Sequence, residues 1–413
     1  MKKVLLSLLG LVSVLVLGII VYWFSGWLPL PTKVPQQSEV YQQDFQQASE
    51  QAMAELMLAQ QQQQLPALTA AVAWRGKLIW VGAAGYADLA SQTAATVQSQ
   101  FRIGSTSKAV TATSLARAVA AGSVDLDSPI SRYMPDLPNP AWKDFTLRQL
   151  MSHTAGMPGY GENTDRLGAI RTLLKQRNFS DVEQALTLFD ESALLFSPGT
   201  GFHYSSFDVN LASAVLQNAV KQPFLQYLSQ SVSQPLQLGS LSADYPEQFF
   251  PNRANFYLTH DGYAKAHWPV NLSQKWASGG LIASSADLAR LGSAWFDPDF
   301  IPTAIQQEFW TAQKLSNGDV NEQFYALGWR HFSQDYLFCD KTTPLSQTVS
   351  FVHHGGVSDS AQSWLVLYPE LQLVVAMNTN TVKEKYCDFA GQAARITRPF
   401  LQQIAPDWLV PKL

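Results

Sequence analysis

Cysteine is almost missing from this chain. Only Cys339 and Cys387 occur in 413 residues, so at most one disulfide can form. An oxidising compartment would allow that pairing and the cytosol would not, and the spacing alone leaves the geometry open. There is no C-x-x-C, no H-E-x-x-H and no phosphate-binding glycine loop, which removes the strongest zinc and nucleotide signals. Charge is scarce as well. Charged residues make up 15% of the chain and the formal net charge is −4, so nucleic acid is not expected as a partner. No internal repeat is evident. What remains is apolar mass: 46% hydrophobic and 12% aromatic residues mark a globular chain. The length suits one large domain or two ordinary ones.

One charge-free stretch stands apart. After Met1-Lys2-Lys3 comes "VLLSLLGLVSVLVLGIIVYWF", Val4 to Phe24. At about 1.5 Å per residue it spans a hydrocarbon core of about 30 Å. No small-x-small cleavage site follows it, and no cysteine follows for lipid attachment. Trp23, Phe24 and Trp27 resemble an interfacial aromatic belt, and Lys2 and Lys3 should stay on the cytoplasmic side. The expectation is an N-terminal membrane anchor over residues 1–28, with a cleaved signal peptide as the alternative. The rest of the chain would be exported, to a periplasmic or extracellular side.

Residues 29–44, rich in proline and polar side chains, read as a linker. "YQQDFQQASEQAMAELMLAQQQQQL" reads as a helix with Phe45, Ala48, Met53, Leu56 and Leu58 on a rough stripe. "LTAAVAWR" and "LIWVGAAGYAD" flank Gly76-Lys77 and suggest a hairpin. The middle, from about Lys108 to Leu228, reads as helices and loops. "YALGWRHF", "SFVHHGG", "SAQSWLVLYPE" and "LQLVVAMNTN" read as strands, and "KYCDFAGQAARITRPFLQQI" returns to helix. The fold class expected is α+β: an antiparallel sheet built from both chain ends, flanked by terminal helices, with a helical subdomain inserted. The domain would cover residues 45–405, leaving 406–413 as a C-terminal tail.

The chemistry concentrates at "FRIGSTSKAVTATSLARAVAAG", Phe101 to Gly122. Gly104 permits a tight turn, and a helix should start at Ser105 or just after it. Residues three apart share a helix face, so Lys108 can bring its amine to the Ser105 hydroxyl. A serine needs such a base to act as a nucleophile. A lysine serves only in its neutral form, which burial favours. The helix start also offers backbone N–H groups to an oxyanion. A plain helix cap carrying a nearby lysine remains the competing reading.

Context favours chemistry. The run continues through "VDLDSPI" to "LRQLMSHTAG", and later come "SPGTGFHYSSFDVNLAS", "ASGGLIASSADLARLG" and "HHGGVSDSAQSWLVLYP". Together these closely resemble the serine β-lactamase and penicillin-binding family. The likeness is to its class C-like branch, which includes serine esterases, D-amino-acid peptidases and the mitochondrial β-lactamase-like protein. The resemblance implies an α/β sandwich with a helical subdomain. It implies that Tyr204, in Tyr204-Ser205-Ser206, relays a proton between Ser105, Lys108 and the leaving group. Ser206 stands where the family has asparagine, which puts the carboxamide's contacts to substrate and to Lys108 in doubt.

The family's Lys-Thr-Gly strand corresponds to His353-His354-Gly355. The resemblance places His353 in the lysine position, positioning substrate with little fixed charge at pH 7. Gly355 would leave room beside the strand. The N–H of Gly356 would join that of Ser105 in binding the oxyanion. Adjacent strand residues point to opposite faces, so His353 and His354 are not expected to share a metal ion. No metal or cofactor is expected. His153 reads as a structural hydrogen-bonding residue.

The resulting expectation is a membrane-anchored serine hydrolase working through an acyl-enzyme. Its substrate would be an ester or amide: a small molecule, a peptide or a cell-wall fragment. The alternatives are a non-catalytic or weakly acylating scaffold of the same fold, and a true β-lactamase.

Overall fold

The computed structural model describes residues 10, 13–14, 16–18, 22–175, 177–339, 345–383 and 385–409. An eight-stranded antiparallel sheet forms its centre. Its main strands are β1 (Gln36–Val40), β2 (Ala67–Trp74), β3 (Lys77–Asp88), β4 (Arg330–Gln334), β5 (Val349–Ser358), β6 (Ala361–Tyr368) and β7 (Leu373–Thr379). The spatial order is β4-β5-β6-β7-β2-β3-β1, and Thr93–Ala94 pairs with the end of β3. The two chain ends meet at β7 and β2, where Leu373 lies opposite Trp74 and Thr379 opposite Leu68. The expectation of one antiparallel sheet drawn from both ends is met.

Both faces of the sheet are covered, which explains its near-continuous apolar strands. On the outer face pack helix α1 (Gln46–Gln62) and a C-terminal helix (Tyr386–Ile404). They share a core with Trp80, Phe351, Trp364 and Met377. In α1 the buried residues are Ala48, Ser49, Ala52, Met53, Leu56, Ala59 and Gln60, a stripe at helical spacing. Leu58 falls off that stripe and is exposed. On the inner face helix Ser285–Ala294 packs on the strands and helix α2 (Ser107–Ala120) reaches β5; helix α4 (Ser206–Val220) packs on α2, and helix α3 (Arg166–Leu174) packs on the turn Gln184–Leu188. Trp142, Leu150, Phe207, Leu288 and Trp295 belong to the core beneath them.

Several expectations need correction. The hairpin turn is Arg75-Gly76, with φ of 49° and 79°. That double left-handed turn matches the twist of paired strands, so Lys77 opens β3. The segment 29–44 is not a free linker. Gln36–Val40 pairs along β3 as an edge strand, and its glutamines, serine and glutamate suit an edge that meets water. Ahead of it, Trp27–Pro29 pairs with Tyr263–Lys265. The tail 406–413 is partly structured, since Pro406–Leu409 forms a short turn and Trp408 is buried in the outer core. The anchor expected at Val4 to Phe24 lies largely outside the described residues. Among those described, no helix is long and apolar enough to cross a membrane.

Cys339 and Cys387 form a disulfide with a Cα–Cα distance of 5.3 Å and a sequence separation of 48. It ties the segment after β4 to the start of the C-terminal helix. Closing a loop of that length removes unfolded-chain entropy worth about 4 kcal/mol. Reduction, or Cys387→Ser, is expected to lower unfolding free energy by about 2–4 kcal/mol. Urea titration with and without reductant checks this, and superimposable curves would contradict it.

Candidate active site

The nucleophile's turn is built by close backbone approach. Gly104 has φ +50°, and a Cβ there would sit 2.5 Å from the Val357 carbonyl oxygen. Only glycine meets both demands. Gly104–Thr106 forms a short 3-10 turn, and α2 begins at Ser107. Ser105 is partly accessible, whereas Lys108 is fully buried. The one-turn spacing does what the sequence suggested: Lys108 Nζ lies 3.2 Å from Ser105 Oγ.

Lys108 makes two further contacts, to Ser206 Oγ at 3.2 Å and to the Ser278 carbonyl at 2.8 Å. Its three acceptors are therefore neutral oxygens. Ser206 meets one of the two doubts raised by the missing asparagine, because its hydroxyl reaches the lysine directly. The Ser278 carbonyl was not singled out as a functional group. It lies in the quoted "ASGG" run, and its contact to Lys108 crosses 170 positions.

Tyr204 closes the group. Its ring lies 4.9 Å from Lys108 Nζ and 5.2 Å from the Arg330 guanidinium carbon. Burial alone would raise the phenol's pKa. The Lys108 and Arg330 charges, with hydrogen bonds involving Ser105 and Lys108, outweigh burial and lower it. A phenol so biased toward its anion, beside a serine hydroxyl and an amine, is equipped to move a proton. Tyr160, which the sequence reading overlooked, stands at the rim with its hydroxyl interacting with Ser206 and its ring edge-on to Phe207.

Behind Tyr204 lies a buried pair. His153 Nδ1 is 2.8 Å from Asp208 Oδ2 and 3.3 Å from the Ser205 N–H. The imidazole lies 4.5 Å from the Tyr204 ring, centroid to centroid. Burial, with Lys108 and Arg330, holds His153 well below its ordinary pKa, and burial pushes Asp208 well above its own. This agrees with the structural role expected for His153 and gives it a partner that sequence did not name. Ser205 caps α4 by accepting from Phe207 N–H, which fixes the helix start that carries Ser206.

The third motif is placed differently from expectation. His353 does not enter the site. It is 2% exposed and lies on the outer face of the sheet, among Phe332, Phe338 and Trp364 at ring distances of 5.4, 4.7 and 4.6 Å. Neither ring nitrogen has a hydrogen-bond partner among the described residues. Gly355 shares that face, where a Cβ would collide with the Tyr386 hydroxyl and Trp364. Strand residues two apart share a face, so the inward pair is His354 and Gly356. The Tyr325 hydroxyl donates to His354 Nε2 and His354 Nδ1–H donates to the Gly355 carbonyl, both at 2.8 Å. His354 lies 6.3 Å from Tyr204, ring to ring.

Gly356 is pressed onto the nucleophile's turn, since a Cβ there would lie 1.8 Å from the Ile103 carbonyl oxygen. Among the described residues, β4 pairs with β5 only as far as His353, so the outer backbone edge beyond it is open. The fixed cation on this flank is Arg330, opposite His353 on β4, with Gln323 Oε1 as its side-chain hydrogen-bond acceptor.

Comparison with known proteins agrees with this architecture. A family profile described as Beta-lactamase matches residues 45–396. The human "Serine beta-lactamase-like protein LACTB, mitochondrial" is 24% identical over 401 residues, covering 78% of this chain and 71% of its own. "Esterase EstB" of Burkholderia gladioli is 31% identical over 204 residues, covering 46% of this chain and 51% of its own. Among solved structures, a D-stereospecific amidohydrolase from Streptomyces sp. superimposes with a TM-score of 0.65. Its identity is 22%, and the match covers 87% of this chain and 98% of that one. That likeness speaks to fold alone. The profile match takes in both chain ends of the sheet and the helical insertion between them, and on that extent this chain belongs to the Beta-lactamase family of serine hydrolases.

Proposed function

We propose that this protein hydrolyses an ester or amide through an acyl-enzyme on Ser105. The observation that carries the proposal is the contact of Ser105 Oγ with a buried lysine whose remaining acceptors are uncharged. Ser105 Oγ bonds to the substrate carbonyl carbon as its proton passes to Tyr204 and Lys108. The oxyanion rests between the N–H groups of Ser105 and Gly356. The tetrahedral centre collapses, the bond to the leaving group breaks, and that oxygen or nitrogen takes the proton. Water then attacks the acyl carbon, gives a proton to the same relay, and Ser105 is regenerated. His353 has no part in substrate positioning, and His354 supports the tyrosine side of the site.

The apolar run Val4 to Phe24 supports a membrane anchor, and the disulfide supports an oxidising, exported location. Arg330 favours a second reading of the substrate, one that carries a carboxylate as β-lactams and peptides do. The full chain in detergent is expected to turn over a p-nitrophenyl ester, and Ser105→Ala to abolish that turnover. Equal rates from both proteins would refute the proposal. Nitrocefin in the same assay separates the β-lactam reading from the others.

A further inference from the structure

Helix α3 carries an apolar face that no described residue covers. Leu167, Ile170, Leu173 and Leu174 are 57%, 56%, 78% and 63% exposed. Their spacing places them on one side of the helix, and the helix turns inward mainly through Gly168 and Thr172. Arg166, Arg171 and Arg177 are also exposed, and none forms an ion pair among the described residues. Exposed aliphatics bordered by arginines make the pattern of a helix lying in a lipid headgroup layer.

A second observation bears on what covers this face. The described end of the apolar N-terminal run packs on the segment that follows Lys265, which is hydrogen-bonded to the C-cap of α3. The Tyr22 ring packs edge-on against Trp268 at 5.9 Å, and Lys265 Nζ lies 3.6 Å from the Tyr22 ring centre. Trp27 Nε1–H donates to the Trp23 carbonyl, and the strand Trp27–Pro29 then joins Tyr263–Lys265. Trp268 is joined to α3 through a short connection, because Asn271 N–H donates to the carbonyl of Lys175, the residue that caps α3. Trp23, Phe24 and Trp268 are all exposed. The chain therefore leaves its apolar run against the domain rather than at the end of a free tether.

We infer that α3 and the Trp23–Phe24–Trp268 patch form a membrane-docking face, which seats the domain against a bilayer bearing anionic headgroups. The inference rests on the anchor reading of residues 1–28. Lys175 Nζ pairs with Asp359 Oδ1 at 2.5 Å, and Asp359 lies two residues past Val357, the residue pressed on Gly104. These contacts connect the docking face to the turn that carries Ser105.

The test is lipid photolabelling of the full chain in phosphatidylcholine vesicles, with and without phosphatidylglycerol. A diazirine-bearing phospholipid serves as probe, and adducts are mapped by peptide mass spectrometry. Adducts are expected on residues 166–175 and on Trp268 as well as on the apolar run, increasing with phosphatidylglycerol. The double variant Ile170→Glu/Leu173→Glu should lose roughly tenfold of the 166–175 signal, with N-terminal labelling and ester turnover unchanged. Adducts confined to the N-terminal run would overturn docking while leaving the anchor intact. No adducts anywhere would overturn both. Loss of the 166–175 adducts as protein density in the vesicles rises, with N-terminal labelling unchanged, would assign the face to a second copy and overturn the inference.

Discussion

Lys108→Met is expected to lower ester turnover by about 10³-fold, within the range for loss of a positioned proton-transfer group. The methionine fills the lysine's volume without its amine. Ser105 then keeps its position at the helix start but loses the amine that joins it to the proton relay. Tyr204 loses one of the two charges that lower its pKa, so any residual activity should need higher pH. The loss should fall on kcat, because Lys108 is fully buried and makes no contact with solvent. The variant also leaves the Ser278 carbonyl without its side-chain donor, at a cost of about 1–3 kcal/mol. Thermal unfolding must therefore confirm a folded protein before rates are compared. A folded Lys108→Met protein within tenfold of wild-type kcat would remove the lysine from the mechanism.

Acidification should destabilise the fold well before ordinary carboxylates titrate. Burial holds His353 and His354 well below the usual 6.5, with Arg330 acting on both and Lys108 on His354. In the unfolded chain each imidazole gains a proton below pH 6.5, and in the folded chain it does not. The unfolded state then binds more protons, so stability falls as pH falls. His153 acts in the same direction, but Asp208 opposes it. Its folded pKa lies above the usual 3.8, so it holds a proton that the unfolded chain has released. The pair cancels, which leaves His353 and His354, with a smaller contribution in the same direction from His267, also lowered by burial. Between pH 6 and pH 5 the unfolding free energy should drop by about 2 kcal/mol. His353→Phe should roughly halve that slope while leaving ester turnover intact, since the ring sits among aromatic side chains on the face away from Ser105. Urea titrations at the two pH values measure the slope. An unchanged slope in His353→Phe, or a large loss of turnover, would put that histidine back in the site.

The legible parts of this site were the local ones. Ser105 and Lys108 are three residues apart on one helix, so their contact follows from helical geometry. Tyr204 and Ser206 came from a motif, and one short segment at a helix start brings both beside Lys108. His353 was misplaced because a strand alternates faces at every residue. A resemblance that identifies three consecutive positions does not say which of them looks inward. The sheet was legible from its apolar runs. The edge strand Gln36–Val40 was not, since it is polar, follows a proline and gains its structure only by pairing with β3. Ser278 and Asp208 lie inside segments that carry the resemblance, but their contacts to Lys108 and His153 cross 170 and 55 positions, so nothing local gave them a role.

The central claim is that Ser105 becomes covalently acylated. Intact-protein mass spectrometry on acid-quenched enzyme, sampled during turnover of a p-nitrophenyl ester, tests it most directly. The account expects a mass increase of one acyl group, mapped to the peptide containing Ser105, decaying as substrate is exhausted and absent from Ser105→Ala. Turnover with no adduct at any time, or an adduct that persists in Ser105→Ala, would contradict it.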